Sequence, residues 1–513
     1  MVSHPRLPVV AGVTRHVVMK CFPDSYLSPM RKYLAFFLTV VSFVCAQDWS
    51  LDRPYTLRTL EYLPLLDNLH QQTTGSELSG IFPRRDSLWR TDAPSHGMVR
   101  WQGKDAFLLV NMVGGYELRA LRSMGDTVNA INGGLRLRGY KDSVEFWLDA
   151  RIYNESHSVK NVGQQYSWDR EFLEVQDSVN GKADYTSYAR YRGHLAIHMG
   201  WARLDFGRDA VHWGPGYYGN LTFNQQAIPF PQMSLETHIG PLTVKSLYAD
   251  LNVSEWSMSG ANTRGHNLYA HRYEIAPTDR LVLAINEQTM VDSINEPILF
   301  VPIIPLFMQK GQMTEDHNNG TISMDACYRK PGLFRVYGEF LLDDMASPVT
   351  LIKNNDIESK WAAMGGVHLI HNYGMLETGF LSEIARVEPW VYTHFVPYTA
   401  QIAHQGVPLG NPLGPNSLSI DALGYGRWKD QFYGSLRMRW WWKGVDDSTH
   451  EGSDIEDATP NQHYKLAKQF LYGAKGKFTL SPSFAYTGKY IGAQLELSLF
   501  DNPGAYTALN FQW

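Results

Sequence analysis

The chain has 513 residues, 46 lysines and arginines against 51 aspartates and glutamates, and a formal net charge of -5. Without basic runs it carries no electrostatic footprint for nucleic acid, which is excluded as a partner. Its cysteines, Cys21, Cys45 and Cys327, fall in no zinc spacing, and neither a metal nor a cofactor is expected.

In chain order, the first long apolar run is Tyr33 to Val44. It follows Met30-Arg31-Lys32 and ends before Ala46-Gln47, the pattern of a secretory signal peptide cleaved after Ala46. Residues 30–46 are read as that signal and 1–29 as an upstream extension foreign to the native protein. A lipoprotein signal at Cys45 is disfavoured, because Val44 is bulky where such sites want a small residue. Over 47–97, Leu57, Leu60, Leu63 and Leu66 recur at helical spacing, interrupted by Pro64, so short periplasmic helical segments are expected. Residues 98–513 hold no apolar run of about 18 residues, the length a spanning helix needs.

From Met98 the texture has period two. Val144, Phe146, Leu148, Ala150 and Ile152 alternate with Glu145, Trp147, Asp149, Arg151 and Tyr153. As a strand this segment has one wholly apolar face and one face with three charges. Val159 to Arg190 is charged, and a short helix is expected around Trp168-Asp-Arg-Glu-Phe172. His194 to Phe206 and Pro241 to Leu251 read as strands.

Between those strands lies Phe206-Gly-Arg-Asp-Ala-Val-His-Trp-Gly-Pro-Gly-Tyr-Tyr-Gly-Asn220 and its continuation to Pro231. Gly214, Gly216, Gly219, Pro215 and Pro231 forbid regular structure, and Pro215-Gly216 suits the centre of a type II turn. The rings of Trp213, Tyr217 and Tyr218 beside Arg208, Asp209, His212 and Asn220 offer what a saccharide needs: flat faces for C–H surfaces, donors and acceptors for hydroxyls. A tight turn whose tryptophan packs on a neighbouring strand would use the same residues.

Gly207-Arg-Asp-x-Val-x-Trp-Gly-Pro-Gly216, followed by Ala227-Ile-Pro-Phe-Pro-Gln-Met-Ser-Leu235, resembles the central signature of the Wzi family of capsule-assembly outer-membrane proteins. Ser187-Tyr-Ala-Arg-Tyr-Arg192 precedes it. Glu388-Pro-Trp-Val-Tyr-Thr-His394 and His404-x-Gly-x-Pro-Leu-Gly-x-Pro-Leu-Gly-Pro-Asn-Ser417 follow it. The resemblance implies an outer-membrane β-barrel that holds capsular or exopolysaccharide at the cell surface. Candidate sugar contacts are Trp213, Tyr217, Tyr218, Tyr392, His394, Tyr398 and His404, with Arg208 and His212 toward acidic sugars and Asp209, Asn220 and Asn416 toward hydroxyls. Outer-membrane lipid and the barrel-assembly machinery are the other expected partners.

Pro297 to Pro305 is an apolar, proline-broken run (Ile298, Leu299, Phe300, Val301, Ile303, Ile304) expected in the lumen or at the barrel mouth. Trp440-Trp-Trp442 beside Lys443 fits a headgroup-level girdle, and the acidic stretch Val445 to Tyr464 reads as a solvated loop. Ile491, Ala493, Leu495, Leu497 and Leu499 alternate with Gln494, Glu496 and Ser498; Asp501-Asn-Pro-Gly504 turns the chain toward Leu509, Phe511 and Trp513. Such an end resembles the terminal strand read by the assembly machinery.

About 415 residues, at roughly 9–11 per crossing plus connections, give about 16–18 strands. The expected fold is an all-β transmembrane antiparallel β-barrel over 98–513, and 18 strands are taken, partly from the resemblance. No nucleophile elbow or phosphate loop occurs. His194 and His198 sit about 13 Å apart on a strand, and His368 and His371 on opposite faces, so neither pair suits a metal. The function expected is a non-catalytic, lectin-like anchor for polysaccharide. A diffusion channel for small solutes is the alternative, and a glycan hydrolase (with Asp205, Asp209 and Glu236 near the central loop) or a lipase the third.

Overall fold

The computed structural model describes residues 98–512 apart from internal stretches, the longest being 157–184, 253–264, 307–317, 350–358 and 456–467. The extension, signal peptide and leader helices expected over 1–97, and the short helix expected around Trp168, lie outside the described residues.

The sheet begins with β1 (Val99–Gln102), β2 (Ala106–Leu121), β3 (Asp126–Lys141), β4 (Val144–Ser156) and β5 (Tyr185–His198). It continues through β6 (Ala202–Asp209), β7 (Phe230–Ile239), β8 (Leu242–Asn252), β9 (Gly265–Thr278) and β10 (Leu281–Val291). Then come β11 (Asn319–Lys330), β12 (Phe334–Asp344), β13 (Lys360–Tyr373) and β14 (Leu376–Val387). A small separate hairpin, β15 (Ala403–His404) and β16 (Val407–Pro408), precedes β17 (Ser417–Trp428) and β18 (Phe432–Lys443). The last strands are β19 (Lys477–Thr487), β20 (Ile491–Phe500) and β21 (Gly504–Gln512).

Each wall strand pairs antiparallel with the next, and β21 pairs with β2, which closes the sheet. The short β1 pairs with Phe107–Val110 of β2 while β21 pairs with Val113–Leu121 of the same strand. The two pieces share one edge end to end, so the 19-stranded sheet is an 18-stranded barrel. Apart from the short β1, closure gives each wall strand a neighbour on both edges, as a sheet that spans lipid requires.

β4 shows why this sequence makes such a wall. Trp147, Asp149, Arg151 and Tyr153 are buried toward the lumen, whereas Val144 and Ile152 are exposed on the outside, Ile152 at 68%. β20 repeats the pattern, with Gln494, Glu496 and Ser498 buried and Leu495 and Leu499 outside. The lumenal charges are neutralised in pairs: Asp149 binds Arg136 at 2.6 Å and Arg151 at 2.8 Å. Arg272 does the same with Asp325 at 2.6 Å and Glu274 at 2.9 Å.

Two aromatic belts mark the membrane borders on β17–β19. Near the short turns, Phe432 packs on Trp428 and Tyr486 at ring separations of 5.3 and 4.8 Å. Toward the long loops, Trp440 meets Phe478 at 4.7 Å. Phe432 and Trp440 are eight positions apart on one strand face, about 27 Å along the strand, close to the apolar band of about 25 Å typical of such barrels.

Three expectations are corrected. His194–Phe206 is two strands rather than one, because Gly200 (φ 84°) lets Met199–Trp201 reverse the chain. Tyr185–Arg190, read as loop, is the first half of β5, held by its register with β4. The described part of the run from Pro297 does not enter the lumen. Pro297–Phe300 makes one turn of 3-10 helix against the outer faces of β8 and β9, where Leu299 and Leu306 pack on Tyr269 and Val291. Ile304 lies outside the described residues.

Candidate functional site

The connection from Ala210 to Pro229 leaves β6 and turns into the lumen. Trp213, Tyr217, Leu221, Phe223 and Ile228 are buried there, packed on inward residues of the wall such as Leu341, Leu381 and Leu423. Trp213 and Phe223 form an isolated bridge, their rings edge to face at 5.0 Å. The second signature connection, from Glu388 to Asn416, enters from the opposite wall and carries the β15–β16 hairpin. The two loops meet: Asn224 N–H donates to Leu409 O at 2.7 Å, and the Tyr392 hydroxyl to Leu221 O at 2.7 Å. Gly410 is required by this contact, since a Cβ there would overlap the Leu221 carbonyl.

Two glutamates of the wall hold the first loop by its backbone. Glu383 of β14 accepts from the N–H groups of Tyr217 (2.6 Å), Tyr218 (2.8 Å) and Gly219 (3.0 Å), and from the Tyr337 hydroxyl (2.7 Å). Glu339 of β12 accepts from Leu221 N–H (2.8 Å), Thr222 N–H (3.0 Å) and the Thr222 hydroxyl (2.5 Å). Arg335 donates to the Tyr217 hydroxyl at 2.5 Å and to Pro215 O at 3.1 Å. A loop without regular structure buries its N–H groups only if something accepts from them, and these carboxylates do so.

Each sequence candidate has a place. Asp209 accepts from Ala210 N–H at 2.8 Å and lies 3.6 Å from Arg192. Asn220 accepts from Gly216 N–H at 2.6 Å and faces the His212 ring. The Tyr218 ring lies under the Arg437 guanidinium at 3.9 Å. His404 packs against Phe230 at 5.8 Å, and His394 against Phe395 at 4.3 Å. Asn416, at φ 51°, accepts from Leu471 N–H at 2.7 Å and donates to Ser453 at 2.9 Å. All of these, with Trp213, Tyr217 and Tyr392, are buried. Arg208 points the other way, half-buried over the exposed Tyr191 ring at 4.7 Å. Tyr398 lies outside the described residues.

Burial holds two of the loop histidines neutral. His212 is pushed down to about 3, first by desolvation and then by the nearby Arg335 and Arg272. His404 is likewise pushed down to about 3 by burial, with Arg208 adding to it. The type II turn expected at Pro215-Gly216 is not formed. Positive φ falls on Gly214 (111°) instead, and Gly216 is needed for its size, because a Cβ would press on Met364 and Asn220. The carboxylates considered as a hydrolytic pair are engaged elsewhere: Asp205 with Arg203 at 2.8 Å, Glu236 with Lys245 at 2.9 Å.

The loop between β18 and β19 rests on the second signature loop, Trp390 N–H donating to Gly452 O at 2.9 Å. Part of the stretch read as solvated is therefore packed, with Gly452, Ser453 and Ile455 buried. On its outer side His450 stacks on Tyr472, ring centroids 3.4 Å apart and planes at 11°. Asp447 beside them accepts from Thr449 N–H at 2.7 Å and His450 N–H at 2.9 Å. The Thr449 hydroxyl, which donates to the same carboxylate at 2.8 Å, and then these N–H groups hold its carboxyl below the usual range. Sequence reasoning missed this platform because its halves are separated by residues 456–467, and no period links them.

A family model of the capsule assembly protein Wzi matches residues 128–430, more than half of the chain and both lumenal loops. The chain belongs to the Wzi capsule assembly family. It is an outer-membrane β-barrel. Among solved structures it is similar to Wzi of Escherichia coli, an outer-membrane protein of group 1 capsule assembly described as a carbohydrate-binding β-barrel. The TM-score is 0.50 at 13% identity, over 78% of this chain and 84% of that one. OccAB2 of Acinetobacter baumannii matches at TM-score 0.42 and 11% identity, covering 79% of this chain and 98% of that one. OccK2 of Pseudomonas aeruginosa, solved with glucuronate, matches at 0.41 and 9%, covering 79% and 96%. No curated protein matches the sequence.

Proposed function

We propose that this Wzi-family barrel binds capsular or exopolysaccharide and attaches it to the cell surface without cutting it. The observation that carries this reading is the location of the family's signature. Its described residues are buried inside the barrel and packed on the wall, an arrangement that suits an anchor better than a channel. Membership in a capsule-assembly family and likeness to a carbohydrate-binding barrel support the same assignment.

The signature residues Asp209, His212, Trp213, Tyr217, Tyr218, Asn220, Tyr392, His394, His404 and Asn416 then serve the polymer by fixing the platform on which outward-facing groups stand. The His450–Tyr472 stack with Asp447 supplies a flat face and an acceptor, and Arg208 a cation for acidic sugars. Individually weak contacts repeated along a polymer hold it firmly through avidity. Deleting the protein is expected to move polysaccharide from the cell pellet to the medium with chain length unaltered. Unchanged partitioning would count against the proposal.

A further inference from the structure

On the lipid side of β14, one charged residue ends an apolar row. Leu381, Glu383 and Ala385 are buried inward, whereas Phe380 and Ile384 are exposed outside. Arg386 shares their outward parity and is the next residue on that face after Ile384. Ile384 is in register with Ile420 of β17 and, through it, with the belt tryptophan Trp440 of β18. Arg386 therefore stands one step beyond the belt, toward the long loops, where the apolar band of a barrel gives way to headgroups.

Its guanidinium is fixed by aromatic rings and by a carboxylate. It lies 5.1 Å from the centre of the Trp361 ring and 3.9 Å from that of Phe470. Trp361 in turn stacks on Phe340 at 6.0 Å. Nε donates to Glu388 Oε1 at 2.7 Å, and Nη2 lies 2.6 Å from the same oxygen. The other oxygen of Glu388 is 3.2 Å from Lys468 Nζ, so the three groups carry one positive charge in excess. Glu388 is fully buried, while the Arg386 side chain is 38% exposed. Its Nη1 has no partner among the described residues. Below it the wall is bare. Phe340, Ala363 and Arg386 form one outward row, and Gly338, Gly365 and Ile384 the next. A Cβ at either glycine would meet backbone atoms only, at Gly365 the Tyr337 carbonyl at 3.7 Å, so a trough runs from the arginine toward the middle of the wall.

We propose that Arg386, Trp361 and Phe470 form a site for the phosphate of an outer-leaflet glycolipid, with the trough over Gly338 and Gly365 receiving one of its acyl chains. A guanidinium presents planar, always-charged donors that match phosphate oxygens, and it stacks on aromatic faces. Here the rings and Glu388 hold the plane, and the edge bearing Nη1 is left for the ligand. The long loops of such barrels are extracellular, which puts this edge at the outer leaflet. Phosphate and acyl chain occur together only in a membrane lipid, and the cation and the trough are arranged in that order along the wall. The proposal is independent of the polysaccharide assignment.

The test uses the full-length mature barrel in detergent, with native mass spectrometry reading the lipid that the folded protein retains. Diphosphoryl lipid A is the probe, diacylglycerol the phosphate-free control, and inorganic phosphate in excess the competitor. Wild type is expected to retain lipid A and not diacylglycerol, and to keep it against inorganic phosphate. R386Q should lower retention at least about tenfold, the size expected for a lost charge-assisted hydrogen bond. G365L fills the trough while leaving the bonds to Glu388 in place, and should lower retention several-fold. Heat-modifiable gel mobility confirms that each variant is a folded barrel. Undiminished retention by either folded variant would overturn the proposal, as would equal retention of diacylglycerol or complete displacement by inorganic phosphate.

Discussion

The Tyr392 hydroxyl donates to the Leu221 carbonyl at 2.7 Å, joining two lumenal loops that lie 171 positions apart in the chain. The same oxygen accepts from Asn411 N–H at 3.2 Å. One side chain thus satisfies a buried acceptor on one loop and a buried donor on the other.

Tyr392→Phe keeps the ring and removes both bonds. Leaving a buried polar group unpaired costs about 1–3 kcal/mol. Amide hydrogen exchange at Asn411 is expected to accelerate about tenfold or more, with the wall strands unaffected. Unchanged exchange would show that the two loops are held by other contacts.

Glu383 matters more, because three consecutive backbone N–H groups depend on it. Glu383→Ala is expected to free the first loop from the wall. Single-channel recording in a planar bilayer checks this: wild type should pass little steady current, and the variant should show long open events. Glu383→Gln retains one acceptor oxygen and should fall between them.

Acid should loosen the plug. His212 and His404 have folded pKa values of about 3, below the ordinary value of 6.5. A histidine kept neutral in the fold costs nothing above its unfolded pKa. As pH falls below about 6.5 the released loop binds a proton that the docked loop refuses, and docking weakens progressively down to about pH 3. At pH 5 each histidine removes about 2 kcal/mol. Open events at pH 5 should therefore exceed those at pH 7.5, and His212→Gln should reduce that difference.

Much of the wall was legible in the sequence because each side of a barrel strand meets a different solvent. Ile152 at the lipid and Arg151 in the lumen can be read from alternation alone. The plug was not legible as a plug. Trp213, Tyr217 and Tyr218 among glycines have the composition of a sugar-binding loop and of a packed insert alike, and only the wall decides between them. Glu383 and Glu339 looked like any lumenal carboxylate in a polar row, since their partners are backbone N–H groups more than 100 positions away. The run from Pro297 has no strand period, and its place outside the barrel follows from Tyr269 and Glu287, which no local pattern connects to it.

On the rim, Tyr472→Ala is expected to lower the amount of polymer retained by whole cells several-fold while leaving the barrel's heat-modifiable mobility unchanged. His450→Ala should act in the same direction and more weakly, because the larger ring remains. Equal retention by both variants and wild type would remove the platform from the binding surface.

The most direct test of polymer anchoring is retention of the host's own polysaccharide by the purified, refolded barrel immobilised in detergent. Saturable retention is expected, with recovery of the polymer at its original chain length and strong weakening when Tyr472 and Arg208 are both replaced by alanine. A correctly folded barrel that retains no polymer, or that returns it shortened, would contradict it.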